Sequence, residues 1–135
     1  MPRALTDAAT AIGVRLTRMS VRRIGFKTTV GMLARVPRLP GSTATSADAV
    51  RWAATIDRVG GRPYGATCLD RSVFLWFLMR MRRLDGQIRI GVLLEEDHLD
   101  GHAWVELNGE IVNDDPDVVS DFAVFDEDPT RLVFS

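Results

Sequence analysis

The chain has 135 residues, 46% hydrophobic and 26% charged, with a formal net charge of -1. That is an ordinary globular composition with room for one sizeable core and not for two. A single cysteine excludes an internal disulfide framework, no uninterrupted apolar run approaches the roughly 18 residues of a membrane span, and Ile24 to Ala34, broken by Lys27, lacks the layout of a signal peptide, so a cytoplasmic location is expected.

Taken in chain order, apolar residues from Ala4 to about Val36 recur at three- and four-residue intervals (Leu5, Ala8, Ile12, Leu16, Met19, Ile24, Val30, Leu33), which predicts helix, divided by Gly25 and Gly31. Pro37 and Pro40 end it, and residues 41–45 read as a linker. Ser46 is placed to cap a helix over Ala47 to Val59, with Ala49, Trp52, Ala53, Ile56 and Val59 on one face and Gly60-Gly61 as its stop. Thr67 and Asp70 have the spacing of a capping box, so the next helix starts at Cys68 and runs to about Leu84. Its segment Val73 to Met79 is apolar nearly all round, which makes it central and buried.

Gln87 to Leu94 alternates like a half-buried strand, Glu95 to Asp100 reads as an acidic loop, and His102 to Leu107 is a second strand. Asn108-Gly109 predicts a tight hairpin returning through Glu110 to Asn113. Phe122 to Phe125 and Leu132 to Phe134 offer one more short strand. Helices followed by an antiparallel sheet define an α+β fold. We divide it into a basic helical extension, residues 1–40, and a domain over residues 46–135.

Charge is strongly polarised along this order. Residues 1–40 carry eight Arg/Lys against Asp7, a balance of +7, residues 41–84 stand at +4, and residues 85–135 at -12. A basic half of this kind suits an acidic peptide, an acidic protein, nucleic acid or a membrane surface, unless the acidic half neutralises it within the fold.

Chemistry is concentrated at Cys68 and His102. Most free cysteines are small buried hydrophobes. Cys68 differs in standing at a helix start, where unpaired backbone N–H groups and the macrodipole favour a thiolate and can donate to an oxyanion. His102 shares a strand face with Trp104 and Glu106, opposite the better core face of Ala103, Val105 and Leu107, and suits the role of acid and base for a thiolate. A third group should orient the imidazole, and simple pairing across the Asn108-Gly109 turn puts Asp115 opposite His102 and Asp114 opposite Ala103; a slip of one residue would exchange them. His98 and His102 are four apart, but Asp100-Gly101 between them breaks a helix and no compact third ligand follows, so no metal site is read. There is no phosphate-binding glycine loop, and no cofactor is implied. Nor do aromatics interleave with the basic positions as in single-strand nucleic-acid binders.

Cys68-Leu69-x-Arg71-Ser72 at the head of an apolar helix, then Gly101-His102-Ala103-Trp104-Val105-Glu106 and Val112-Asn113-Asp114, resemble the transglutaminase-like cysteine proteases. Within that superfamily the chain is similar to the leader peptidases of lasso-peptide biosynthesis, the stand-alone form of the C-terminal half of the maturation B protein. The similarity covers roughly residues 46–125, and the three motifs come in family order and spacing. The resemblance implies a papain-like or transglutaminase-like core, with Cys68 as nucleophile, His102 as base and acid, and Asp114, rather than Asp115, as orienter. It implies removal of a leader peptide through a thioester, with help from a PqqD-like leader-recognition protein, before an asparagine-synthetase-like lasso cyclase acts on the freed core. The chain departs from papain-type enzymes in having no glutamine ahead of Cys68 at the distance of their oxyanion donor. An adaptor without catalysis and a thioester-forming acyltransferase are the other readings of these residues.

Overall fold

A computed structural model describes residues 6–41, 43–60, 67–120 and 122–124. The long helices come first: α1 (Asp7–Ile24), α2 (Phe26–Ala34), α3 (Ser46–Gly60) and α4 (Cys68–Met81). Strands β1 (Gln87–Glu95), β2 (His98–Leu107), β3 (Glu110–Ile111) and β4 (Ala123–Val124) follow, with the one-turn helix α5 (Pro116–Val119) before the last. The four strands form one antiparallel sheet in the order β3-β2-β1-β4, so the protein is α+β as the element order predicts.

The N-terminal helical pattern breaks only at Gly25, whose φ of 89° ends α1, whereas Gly31 continues inside α2. Thr6 caps α1 by accepting from the Ala9 N–H at 3.1 Å. At α3 the cap is Thr45 rather than Ser46: Thr45 Oγ1 accepts from the Asp48 N–H at 3.1 Å, and Asp48 Oδ2 accepts from the Thr45 N–H at 2.9 Å. The reciprocal carboxylate at N3 decides between two adjacent hydroxyl residues, because only Thr45 has an acid three positions on. Gly60 is the last helical residue of α3, and Gly61 lies outside the described residues.

The expected acidic loop is mostly strand. Glu95 pairs with His98 across a two-residue turn, Glu96-Asp97, and β2 starts four residues earlier than predicted. Nine-residue registry with β1 outweighs the poor strand propensity of that acidic stretch. The Asn108-Gly109 turn forms as expected, with φ of 53° and 83°. Of the two candidate tail strands, residues 123 and 124 pair with Val92 and Gly91, while Leu132 to Phe134 lie outside the described residues.

Helix α4 is the middle of the molecule. It packs on β1 and β2 on one side and on α1, α2 and α3 on the other, which is why Val73, Phe74, Leu75, Trp76 and Met79 are buried with no polar face left between them. Each large apolar side chain so enclosed contributes about 1.5–3 kcal/mol. Val14 and Val30 from the basic helices belong to the same core as Trp52, Ile56, Ile88 and Val105, so that core is continuous from α1 to the sheet. Arg80 donates to the carbonyls of Val36 and Ala34 at 2.6 and 2.5 Å, tying the end of α2 to α4. No helix among the described residues is long and apolar enough to cross a membrane.

Where α1 crosses α4, Gly13 faces the ring of Phe74 so closely that an added Cβ would lie 2.2 Å from Cζ. Helix propensity alone would favour Gly13→Ala by about 1 kcal/mol. Overpacking against a rigid ring costs about 1–3 kcal/mol, so the net effect should be destabilising. Urea unfolding should show a lower midpoint at unchanged slope; an increase would mean that the helices separate freely.

Candidate active site

Thr67 and Asp70 form the capping box that the sequence predicts: Thr67 Oγ1 accepts from the Asp70 N–H at 3.2 Å and Asp70 Oδ2 from the Thr67 N–H at 3.1 Å. Asp70 is itself buried, so its carboxylate is committed to this cap. Cys68 thereby becomes the first residue of α4, half-buried, at the end of the helix where N–H groups lack intrahelical acceptors.

A cavity of about 160 Å³ opens there, lined by Asp57, Cys68, Arg71, His102, Ala103, Asn113 and Asp114. The structure therefore brings Cys68, His102 and Asp114 to one place, from α4, β2 and the segment after β3. His102 Nε2 is bonded to Asp114 Oδ2, with both side chains only about a fifth exposed (23% and 20%). Asp115 is elsewhere: its Oδ1 accepts from the Asp117 N–H at 2.9 Å, at the start of α5, while its own N–H donates to Asp114 Oδ1 at 2.7 Å. The plain hairpin register, which puts Asp115 opposite His102, is thus corrected in favour of Asp114.

The cause is visible at Asn113. The β2–β3 ladder holds through the Val112 N–H bond to the Val105 carbonyl at 2.9 Å, and then the chain leaves the register. Asn113 Oδ1 takes the Val105 N–H at 2.8 Å in place of a backbone carbonyl, and its Nδ2 donates to the buried Ser72 Oγ at 3.1 Å. One side chain thus ties the sheet edge to α4 and sends Asp114 toward the imidazole. Beyond Val105 no β3 residue pairs with β2, and this gap is where Asn113 and Asp114 sit.

The other face of β2 is not solvent either. Trp104 is fully buried there, donates from Nε1 to Glu106 Oε2 at 2.9 Å, and lies 5.9 Å from the His102 ring, with Phe122 at 5.3 Å on the imidazole. Gly91, opposite His102, leaves room for this packing, because a Cβ would come to 3.0 Å from both Phe122 and the Trp104 ring.

Two cavity residues have no role in the sequence reading. Asp57, about half exposed, faces Arg71 at 3.4 Å, and Arg71 Nε donates to the Thr67 carbonyl at 3.3 Å. Burial of the Asp57 carboxyl pushes its pKa up, Arg71 opposes the rise, and the charge of Asp114 adds to it. Asp57 carries no sequence signal, since it reads as an exposed position of an amphipathic helix. Arg71 belongs to the quoted motif and could have been suspected from its place one turn beyond Cys68. No group of three or more His, Cys, Asp or Glu able to hold a metal ion occurs among the described residues.

A buried helix carrying the thiol, packed on an antiparallel sheet carrying the imidazole, is a transglutaminase-like fold. The family model described as the transglutaminase-like superfamily matches residues 11–126, and the chain belongs to that superfamily, whose members usually act as cysteine proteases or acyltransferases. The match begins inside α1 and passes the end of β4, so the N-terminal helices fall within it. No curated protein and no solved structure matched the chain.

Removing Asn113 should leave the Val105 N–H and Ser72 Oγ without their partners. Asn113→Ala is therefore expected to cost about 1–3 kcal/mol in urea unfolding, and a near-neutral result would show that water replaces the bridge. Asp57 should make stability depend on pH. A carboxyl raised above its unfolded value contributes stability that is present below the unfolded pKa and lost as pH rises through the folded one. Asp57→Asn should accordingly gain on the wild type as pH rises through the titration of this raised carboxyl, in parallel unfolding curves; a gap that stays constant would remove the charge from the explanation.

Proposed function

We propose that the protein is a cysteine peptidase that removes the leader from a ribosomally made lasso-peptide precursor. The observation that carries the reading is that Cys68, at the head of α4, lines the same cavity as the bonded pair His102–Asp114. The ordered motifs around Cys68, His102 and Asp114, similar to those of lasso leader peptidases, supply the substrate class.

With Nε2 held by Asp114, Nδ1 of His102 is the ring nitrogen left for the thiol. The imidazole takes the proton of Cys68, and the thiolate attacks the carbonyl that ends the leader. Free N–H groups at the start of α4 stabilise the tetrahedral oxyanion. The C–N bond breaks as imidazolium protonates the leaving amine, which frees the core N-terminus and leaves a thioester on Cys68. Water, deprotonated by His102, cleaves the thioester and restores the thiol. Asp114 holds the ring and balances its positive charge. A small PqqD-like protein presents the leader, and a separate lasso cyclase uses the freed amine, all in the cytoplasm.

Precursor incubated with recognition protein and enzyme should yield leader and core masses whose sum exceeds the precursor by one water. Cys68→Ala should lower the rate on the order of 10³-fold or more, and Asp114→Asn on the order of 10²-fold or more, with Asp115→Asn close to wild type. Undiminished cleavage by Cys68→Ala would falsify the peptidase reading. Function that survives capping of the thiol would instead identify an adaptor, and a product carrying an added amine an acyltransferase.

A further inference from the structure

Helix α1 presents its more apolar face outward. The side packed on α3 and α4 buries Thr10, Val14 and Thr17, and the two threonines bond back into their own helix, Thr10 to the Thr6 carbonyl at 2.9 Å and Thr17 to the Gly13 carbonyl at 2.8 Å. The opposite side exposes Ile12 (59%), Leu16 (59%) and Met19 (50%), spaced i, i+4, i+7 on one stripe. Ile24 and Met32 are also exposed, and with Leu39 they make six of the eight exposed large hydrophobic residues among the described residues fall between positions 12 and 39.

The same stretch has one sign of charge. From residue 8 to residue 47 there is no Asp or Glu, while Arg15, Arg18, Arg22, Arg23, Lys27, Arg35 and Arg38 supply seven positive charges. Arg22 and Arg23 in the last turn of α1 and Lys27 at the start of α2 are exposed. Helix α4 lies between α1 and the sheet, so the acids carried on the strands, such as Glu106 and Glu110, belong to the layer on the far side, while Arg38 is paired with Asp85 at 3.1 Å. An apolar stripe followed by exposed Arg22, Arg23 and Lys27, with the acids of the strands on the far side of α4, is matched in charge and polarity to a negatively charged lipid surface.

We infer that α1 is a peripheral membrane-docking face for anionic phospholipid. Ile12, Leu16 and Met19 enter the boundary between headgroups and acyl chains, while Arg22, Arg23 and Lys27 bind headgroup phosphates. The protein lies on the bilayer without spanning it, and the cavity at the start of α4 is untouched by the contact. An acidic protein would suit the charge too, but the absence of any acid over forty residues asks for a uniformly negative partner rather than a patterned one.

The test is co-sedimentation of the full chain, in low salt, with vesicles of phosphatidylcholine alone and of phosphatidylcholine and phosphatidylglycerol in equal parts. Sedimentation with the anionic vesicles only, reversed by added salt, is expected. Arg22→Glu with Arg23→Glu should weaken it by at least about thirtyfold. A second variant, Ile12→Gln with Leu16→Gln and Met19→Gln, should weaken it comparably, and circular dichroism should confirm that both variants fold. Three results overturn the proposal: a wild type that stays in the supernatant, which leaves the face to an acidic protein; equal binding to both vesicles; or folded variants that sediment like the wild type.

Discussion

The bond pair made by Asn113 is the constraint on which the site rests. Its carbonyl oxygen holds the Val105 N–H of the sheet, and its amide nitrogen holds Ser72 on α4, at 2.8 and 3.1 Å. Both partners are fully buried, so neither can fall back on water, and an unmade bond at either end would carry a full desolvation penalty. Asp114 follows in sequence and inherits that placement. The imidazole–carboxylate pair is thus positioned by a polar bridge through the core as well as by the bonds of the turn that precedes α5.

Cys68 is positioned by a different and more local device. The capping box of Thr67 and Asp70 sets the first turn of α4, and burial of its middle, Ser72 to Trp76, fixes its axis against β1 and β2. A thiol carried there cannot shift relative to the sheet without disturbing Phe74, Leu75 and Trp76. The two halves of the site therefore meet through one rigid interface, the packing of α4 on β2, and the small cavity at its edge needs no separate scaffold.

Much of this was legible in the sequence where one local rule acted alone. The capping box, the Asn108-Gly109 turn and the all-round apolar stretch of α4 each rest on residues close in the chain, and each is where the pattern places it. What could not be read depends on competition between rules. Ser46 is as good a hydroxyl cap as Thr45 until Asp48 is counted. The acidic stretch around Asp97 looks like a loop until pairing along β1 outweighs its propensity. Asp114 and Asp115 differ only by a departure from register, caused by a side chain, Asn113, standing in for backbone. Here the motif resemblance pointed to the aspartate that touches His102, because motif order is not subject to strand slippage. Asp57 was invisible for the converse reason: its partners come from α4 and from the segment after β3, and no spacing within α3 encodes them.

Helix α1 makes the same point with its polarity reversed. Periodicity places Ile12, Leu16 and Met19 on one stripe of a helix, and by hydrophobic transfer alone such a stripe should be inside. The helix instead buries threonines, which it can do at little cost because each hydroxyl is satisfied by a carbonyl four residues earlier, and because Thr29 and Ser20, bonded to each other at 2.7 Å, meet at the junction with α2. Close approach decides the orientation. With Gly13 against the Phe74 ring, α1 approaches α4 closely at that point, and the inner face is filled by Val14 and the small threonines. Ile12, Leu16 and Met19 remain on the outer surface of the helix that crosses α4 so tightly at Gly13.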